Sequence, residues 1–206
     1  MEYTIRDVLS KDPVLERLIQ EHGVPALEKR NGSPFEALVR SIIGQQLSGA
    51  AATTIRNRLF ELYGDAAVCP SAQQIRDTAP EKLQKIGVSR QKATYLYALA
   101  DAYCRDESRF ERFHTLSDND ITQYLVSIKG IGEWTVHMFL LFYLGREDIL
   151  PTGDLGVRKG MMKVYDLPEL PQSSTMTRIA APWQPYRSFG TLLMWRALDS
   201  INPIAK

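Results

Sequence analysis

Gly130 and Gly132 stand one residue apart in the sequence IKGIGEWT at residues 128–135. A polar amphipathic stretch precedes them and a very apolar one follows, so they lie between two predicted helices. One interpretation is a tight turn in which glycine supplies a positive φ. The other is a turn whose backbone N–H groups, at the start of the second helix, bind an anion such as a phosphate. A dinucleotide or P-loop motif is excluded, because no strand precedes the glycines and no GK[ST] follows them.

Asp154, at the end of the sequence LPTGD at residues 150–154, is a second residue whose side chain could take part in a reaction. A carboxylate there can cap the helix predicted at residues 155–165, and from the residue alone this is the preferred interpretation. It can also stabilise positive charge that develops in a reaction. The three histidines are scattered and the two cysteines form no CxxC pair, so neither a zinc site nor a disulfide is predicted.

Composition indicates a globular protein of one or two domains. The chain has 206 residues, of which 44% are hydrophobic and 24% charged. No apolar run is long enough to span a membrane, and the N-terminus lacks a signal-peptide pattern, so we expect an intracellular protein. The formal net charge of +1 is not typical of a nucleic-acid-binding domain. Any contact with DNA must therefore use local positive charge and backbone donors.

The elements that position these residues are predicted to be helices throughout, which gives an all-α fold class. Four serines before periodic apolar runs are the predicted N-caps: Ser33, Ser48, Ser89 and Ser117. At Ser33, Pro34 and Glu36 complete a predicted capping box. Residues 134–144 are nearly all apolar and predict a buried helix that ends at Gly145. The last helix is predicted from Pro185 to about residue 199. The pattern LxxIG followed by a helix at residues 83–87 weakly repeats the pattern at residues 125–130.

Five stretches together resemble the helix-hairpin-helix DNA glycosylase superfamily, in its alkylation-type 3-methyladenine DNA glycosylase II branch. They are IKGIGEWT and LPTGD, SIIGQQLS at residues 41–48, IGVSRQKA at residues 86–93, and WQPYRS at residues 183–188 with Trp195. The resemblance covers roughly residues 33–200, and its specificity comes from the order and spacing of the stretches. It implies two helical subdomains with the helix-hairpin-helix motif at the cleft between them.

The resemblance implies a monofunctional DNA glycosylase that removes alkylated purines from duplex DNA after base flipping. Asp154 matches the catalytic aspartate of the family. Trp134 stands where lyase-type members carry a nucleophilic lysine, so no lyase activity is expected. Two cysteines cannot hold the iron–sulfur cluster of several lyase-type relatives. The alternatives are a glycosylase for ethenoadenine- or hypoxanthine-type lesions and a DNA-binding protein that has lost catalysis.

Further site residues follow from the same resemblance. The base pocket is predicted from aromatic and neighbouring positions: Trp134, Met138, Tyr186 and Trp195. Gln46, with Leu47 second, is the predicted wedge that fills the hole left by the flipped base. DNA backbone contacts are predicted at Gly87, Ser89, Lys92, Gly130, Gly132, Thr135 and Arg158. Ser48 replaces a larger residue that probes the minor groove in some relatives.

The predicted subdomains are residues 33–117, a central helical bundle, and residues 1–32 plus 118–206, which would carry the hairpin and Asp154. The expected partner of this monomer is double-stranded DNA, with no membrane association. No cofactor is expected, although the resemblance implies a structural monovalent cation, Na⁺ or K⁺, on backbone carbonyls near Ile128 and Ile131. The compartment would be the cytoplasm in a prokaryote and the nucleus in a eukaryote.

Overall fold

The computed structural model describes residues 4–47 and 49–199, and these form helices and no strand. The α-helices are α1 (Ile5–Leu9), α2 (Pro13–His22), α3 (Pro34–Gly44), α4 (Gly49–Glu61), α5 (Ala72–Arg76), α6 (Pro80–Lys85), α7 (Arg90–Arg105), α8 (Glu107–Glu111), α9 (Asp118–Val126), α10 (Glu133–Phe139), α11 (Leu155–Val164), α12 (Ser173–Ile179) and α13 (Arg187–Asp199). The prediction of an all-α fold is confirmed. Within these residues, no helix has the length and apolar character needed to cross a bilayer.

Most predicted helix caps are confirmed, because a cap depends on residues close in sequence. The hydroxyl groups of Ser33, Ser89 and Ser117 each accept a backbone N–H from three residues farther on, at 3.1–3.2 Å. The capping box at Ser33 is only half formed, because the Glu36 carboxylate accepts from the Arg40 guanidinium instead. Ser48, the fourth predicted cap, lies outside the described residues.

Two helix boundaries differ from the prediction. The apolar helix at residues 134–144 is α-helical only through α10 and continues as a π-helical turn, Leu140–Leu144. Gly145 follows with φ +67°, as expected of a helix-ending glycine. The last helix, α13, begins at Arg187 rather than Pro185, since residues 184–186 form the turn after a short 3₁₀ helix, Ala181–Trp183.

The chain contacts define two compact units. Arg30–Phe139 form the central unit, and the described residues of Met1–Lys29 and Leu140–Lys206 form the terminal unit. This division differs from the predicted one, which assigned residues 118–139 to the second subdomain. In the structure α10 packs against α3 and α9, burying Ile121, Leu125 and Val136. The glycine hairpin therefore belongs to the central unit, whereas Asp154 belongs to the terminal unit.

The core of the terminal unit holds α11 against α13. Gly160 makes this approach possible, since a Cβ atom there would lie 2.4 Å from the backbone oxygen of Met194. The buried apolar side chains of this core come from α1, α2, α11, α12, α13 and the 3₁₀ helix, and they include Leu15, Ile19, Met161, Met176, Trp183, Leu193 and Met194. This packing fixes the first turn of α11 beside α13.

A buried carboxylate fastens the N-terminal helices to the same core. Asp12 caps α2 by accepting the Val14 N–H at 2.9 Å. Its other oxygen, Oδ2, accepts the Tyr165 hydroxyl at 2.6 Å and the Trp183 indole N–H at 3.0 Å. These two partners lie more than 150 residues away in sequence, so local patterns gave no indication of the network.

Candidate functional site

Asp154 is the centre of the candidate site in the terminal unit. It is 9% exposed and caps α11, and its Oδ1 accepts the Val157 N–H at 2.8 Å. The same oxygen accepts the indole N–H of Trp195 at 2.9 Å. The cap interpretation is confirmed, and it does not exclude a chemical role. A carboxylate fixed by two donors has little orientational freedom, which suits a group that must act at one position.

Trp195 is the predicted base-pocket residue that the structure places beside Asp154. Its ring lies nearly parallel to that of Phe142, with centroids 5.9 Å apart and an interplanar angle of 20°. A Cβ atom at position 156 would lie 2.9 Å from both Cδ1 and Nε1 of the indole, so Gly156 makes the approach of Trp195 possible. Sequence reasoning missed Phe142 and Gly156. A glycine in the first turn of a predicted helix was the one available signal.

The other predicted pocket residues are distributed over both units. Tyr186 is partly buried in the terminal unit and meets Phe189 edge-on at 6.0 Å. Trp134 and Met138 lie on α10 in the central unit, where the Trp134 side chain is 40% exposed and Met138 is half-buried. The grouping of these four residues into one base pocket stays a prediction.

The two hairpin glycines differ in whether the fold requires glycine at their positions. Gly130 has φ +93°, and a Cβ atom there would lie 2.0 Å from the ring of Tyr95. At Gly132 a Cβ atom would meet nothing within 4 Å, and φ is not in the left-handed region. The carbonyl of Gly132 accepts the first hydrogen bond of α10, from the Val136 N–H at 3.1 Å. Folding of the hairpin therefore requires glycine at position 130 but gives no reason for it at position 132.

The predicted wedge turn projects from the central unit between α3 and α4. Gln46 is exposed and has φ +57°, a conformation that costs free energy for a residue with a side chain. Leu47 is 37% exposed. Such strain concentrates at functional turns. The wedge role of both residues stays a prediction, and Ser48 lies outside the described residues.

Gln45, which sequence reasoning did not select, joins this turn to the glycine hairpin. Its Nε2 donates to the Gly130 carbonyl at 3.0 Å and to Thr135 Oγ1 at 3.3 Å. Thr135 is 2% exposed and its hydroxyl accepts from Gln45, so its role as a DNA contact stays a prediction. No sequence pattern indicates a bond across 85 residues.

The second hairpin, between α6 and α7, has the predicted turn chemistry. Gly87 has φ +99°, and Ser89 caps α7. The Lys92 ammonium donates to the Ile43 carbonyl at 2.7 Å, and burial lowers its pKa. In the terminal unit, Arg158 Nε donates to the Pro171 carbonyl at 3.1 Å. Both cations therefore have partners within the protein, and their roles as DNA contacts stay predictions.

Comparison with known proteins supports the resemblance on which these roles depend. The family model of the HhH-GPD superfamily base excision DNA repair protein matches residues 39–185. The chain is 32% identical to DNA-3-methyladenine glycosylase 1 of Schizosaccharomyces pombe over 172 residues, which cover 83% of this chain and 74% of that protein.

Solved structures agree with this assignment. The 3-methyladenine DNA glycosylase of the same yeast, in complex with abasic DNA, superposes with a TM-score of 0.84 at 28% identity, covering 98% of this chain and 99% of that one. A DNA-3-methyladenine glycosidase from Bacillus halodurans gives a TM-score of 0.83 at 29% identity, covering 97% and 91%. The chain belongs to the HhH-GPD superfamily of base excision DNA repair proteins.

Proposed function

We propose that this protein is a monofunctional DNA glycosylase that releases alkylated purines, of the 3-methyladenine and 7-methylguanine type, from duplex DNA. The observation that carries the proposal is the fixed Asp154 carboxylate, held by the α11 backbone and by the indole of Trp195. The relatives named 3-methyladenine glycosylases support the same reaction class.

The chemistry of the reaction explains why this pair of residues is suitable. Hydrolysis of an N-glycosidic bond develops positive charge on the sugar, and a nearby carboxylate stabilises that charge and orients the attacking water. Alkylated purines are themselves cationic, so they are good leaving groups and stack well on an electron-rich indole. Trp195, stacked on Phe142, offers such a surface next to the carboxylate.

The absence of a lyase step follows from Trp134. A lyase forms a Schiff base through a lysine amine, and an indole at the matching position cannot do so. The product is therefore an abasic site with an intact backbone. The family resemblance implies a pocket tyrosine in some relatives at the position of Met138, so this residue bears on the range of lesions. Ethenoadenine- and hypoxanthine-type lesions are the alternative substrates.

DNA contacts are proposed at the two hairpins, and Gln46 would fill the space that the extruded nucleotide leaves in the duplex. The protein would bind the duplex as a monomer, inside the cell. A monovalent cation at the first hairpin is compatible with its donor set. The Ile128 carbonyl accepts the Ile131 N–H, and the Gly130 carbonyl accepts from Gln45, which leaves each oxygen a second lone pair. Such an ion would stabilise the turn and take no part in the reaction.

The test is to incubate the protein with methylated duplex DNA and to measure the released bases, for the wild type and for Asp154→Asn. Asparagine is an equally good N-cap and keeps an oxygen for the Trp195 N–H, so the variant should fold normally. Its release rate should fall by about 100-fold or more. Near-normal release by the folded variant would refute the role of Asp154. Tight DNA binding by a wild type that releases no base would favour a binding protein, and release of other bases alone would favour the alternative substrates.

A further inference from the structure

A cavity of about 580 Å³ in the central unit carries an unusual concentration of positive charge. Its lining contains three arginines, two polar residues and two small ones: Arg30, Arg40, Arg56, Asn31, Thr53, Gly44 and Ala52. The net charge of the whole chain is +1. A cavity bordered by three guanidinium groups is therefore a local feature and not the consequence of a basic composition.

The spacing along α3 and α4 brings these groups together. Arg40 and Gly44 are four residues apart on α3, and Ala52 and Arg56 are four residues apart on α4, so each pair lies on one helix face. The small residues leave room between the helices, and the arginines supply the donors. Arg40 is held in place, because its guanidinium also lies 5.3 Å from the ring centroid of Phe60.

The protein's own groups compensate the charges of Arg40 and Arg56 differently. Arg40 pairs with the Glu36 carboxylate, through Nε at 2.8 Å. Arg56 donates instead to a neutral acceptor, the side-chain oxygen of Asn57, at 2.9 and 3.2 Å. Burial and the positive charges of Arg40 and Arg30 lower the pKa of Arg56, although Glu36 opposes this effect. Like charges around one cavity cost free energy, and a bound anion would remove that cost.

We infer that this cavity binds a phosphate group of the DNA backbone beside the wedge turn. Gly44, which lines the cavity, is the last residue of α3, and the exposed Gln46 follows it by two residues. A duplex engaged by the wedge would therefore bring its backbone close to the cavity. Arginine matches phosphate oxygens through two parallel N–H donors, and the Thr53 hydroxyl adds a neutral one. The inference rests on the proposed function, because that function brings DNA to the turn.

The test compares Arg56→Gln with Arg58→Gln. Both changes remove one positive charge from α4, but Arg58 is exposed and does not line the cavity. Affinity for a labelled duplex would be measured by fluorescence anisotropy from about 50 to about 200 mM salt. For Arg56→Gln the slope of the logarithm of the association constant against the logarithm of the salt concentration should become shallower by about 0.9. The affinity advantage of the wild type over this variant should therefore shrink about 3.5-fold as the salt rises from about 50 to about 200 mM. Arg58→Gln should keep the wild-type slope.

Equal slopes for the wild type and Arg56→Gln would overturn the inference. Unfolding in urea would establish that Arg56→Gln is folded; if it is not, Arg30→Gln, at an exposed position, takes its place in the same comparison. Inorganic phosphate forms the second arm. If it stabilises the wild type but not the variant while the DNA slopes are equal, the cavity binds a free anion, which also overturns the DNA assignment. Base release by the wild type is measured separately, so that its failure counts against the proposed function and not against the cavity.

Discussion

The two hairpin glycines allow folding and ligand binding to be separated by a pair of single substitutions. At Gly130, alanine would be held at φ +93° and its Cβ would collide with the Tyr95 ring at 2.0 Å. The backbone conformation costs about 1 to 3 kcal/mol and the overpacking about as much again. We expect Gly130→Ala to lower the free energy of unfolding by about 2 to 6 kcal/mol.

Gly132→Ala should behave in the opposite way. Its Cβ meets nothing within 4 Å, and alanine before the first turn of α10 should cost less than about 1 kcal/mol. The methyl group would, however, stand where the proposed contact requires a phosphate oxygen to approach the backbone. A hydrogen bond to a charged group contributes about 1.5 to 3 kcal/mol, so the affinity for DNA should fall by about tenfold or more.

The assay measures urea unfolding and the anisotropy of a labelled duplex for both variants. The expected pattern is an unstable Gly130→Ala and a stable Gly132→Ala that binds DNA weakly. A stable Gly132→Ala that binds DNA like the wild type would refute the idea that a ligand explains this glycine. A strongly destabilised Gly132→Ala would show that the hairpin needs glycine there for folding.

Three further predictions concern the remaining buried contacts. Gly156→Ala should displace the Trp195 indole, now 2.9 Å from the added Cβ, at an overpacking cost of about 1 to 3 kcal/mol. Base release should fall by about 10- to 100-fold, measured by single-turnover kinetics on a variant that urea unfolding shows to be folded. Asp12→Ala should lower the free energy of unfolding by about 3 to 5 kcal/mol, because it removes a cap and leaves two buried donors without an acceptor. Asp12→Asn should recover the cap but not all of this loss, because its single amide oxygen cannot accept on both sides and the Trp183 indole N–H can only donate. Burial lowers the pKa of His137 in the folded protein below its ordinary value of 6.5, so just below pH 6.5 the unfolded chain binds more protons than the folded one. The free energy of unfolding should therefore fall as the pH drops from 6.5 to the lower, folded-state pKa. Urea unfolding at several pH values should show a weaker pH dependence for His137→Gln.

Local signals account for what could be predicted from the sequence. Ser33, Ser89, Ser117 and Asp154 cap helices because each side chain reaches an N–H only three residues ahead. The N-terminal helices α1 and α2 were not predicted, although α2 carries Leu15, Leu18 and Ile19 at helical spacing after the Asp12 cap. They are stable in the structure because they pack on a core built mostly from residues after 140.

The boundary between the two units is another feature that local sequence signals do not determine. The α9–α10 hairpin reads as one more helical pair, and its apolar faces do not reveal which bundle they will join. In the structure that choice is made by the packing of α10 against α3, a helix that ends 89 residues before α10 begins. Likewise, the sequence identified Asp154 and Trp195 through family resemblance, but not the hydrogen bond between them or the glycine that makes it possible.

Gln45 connects two features that the sequence presented as separate. Its backbone opens the wedge turn, and its side-chain amide donates to the Gly130 carbonyl and to Thr135 at the start of α10. A displacement of the hairpin on binding a backbone phosphate would therefore be transmitted directly to the residue before Gln46. Lys92, in the first turn of α7 after the second hairpin, also donates to the Ile43 carbonyl near the end of α3. Within the central unit, these two side chains would thus couple the proposed anchoring of the DNA backbone to the proposed placement of the wedge, and neither needs to touch DNA to have this effect.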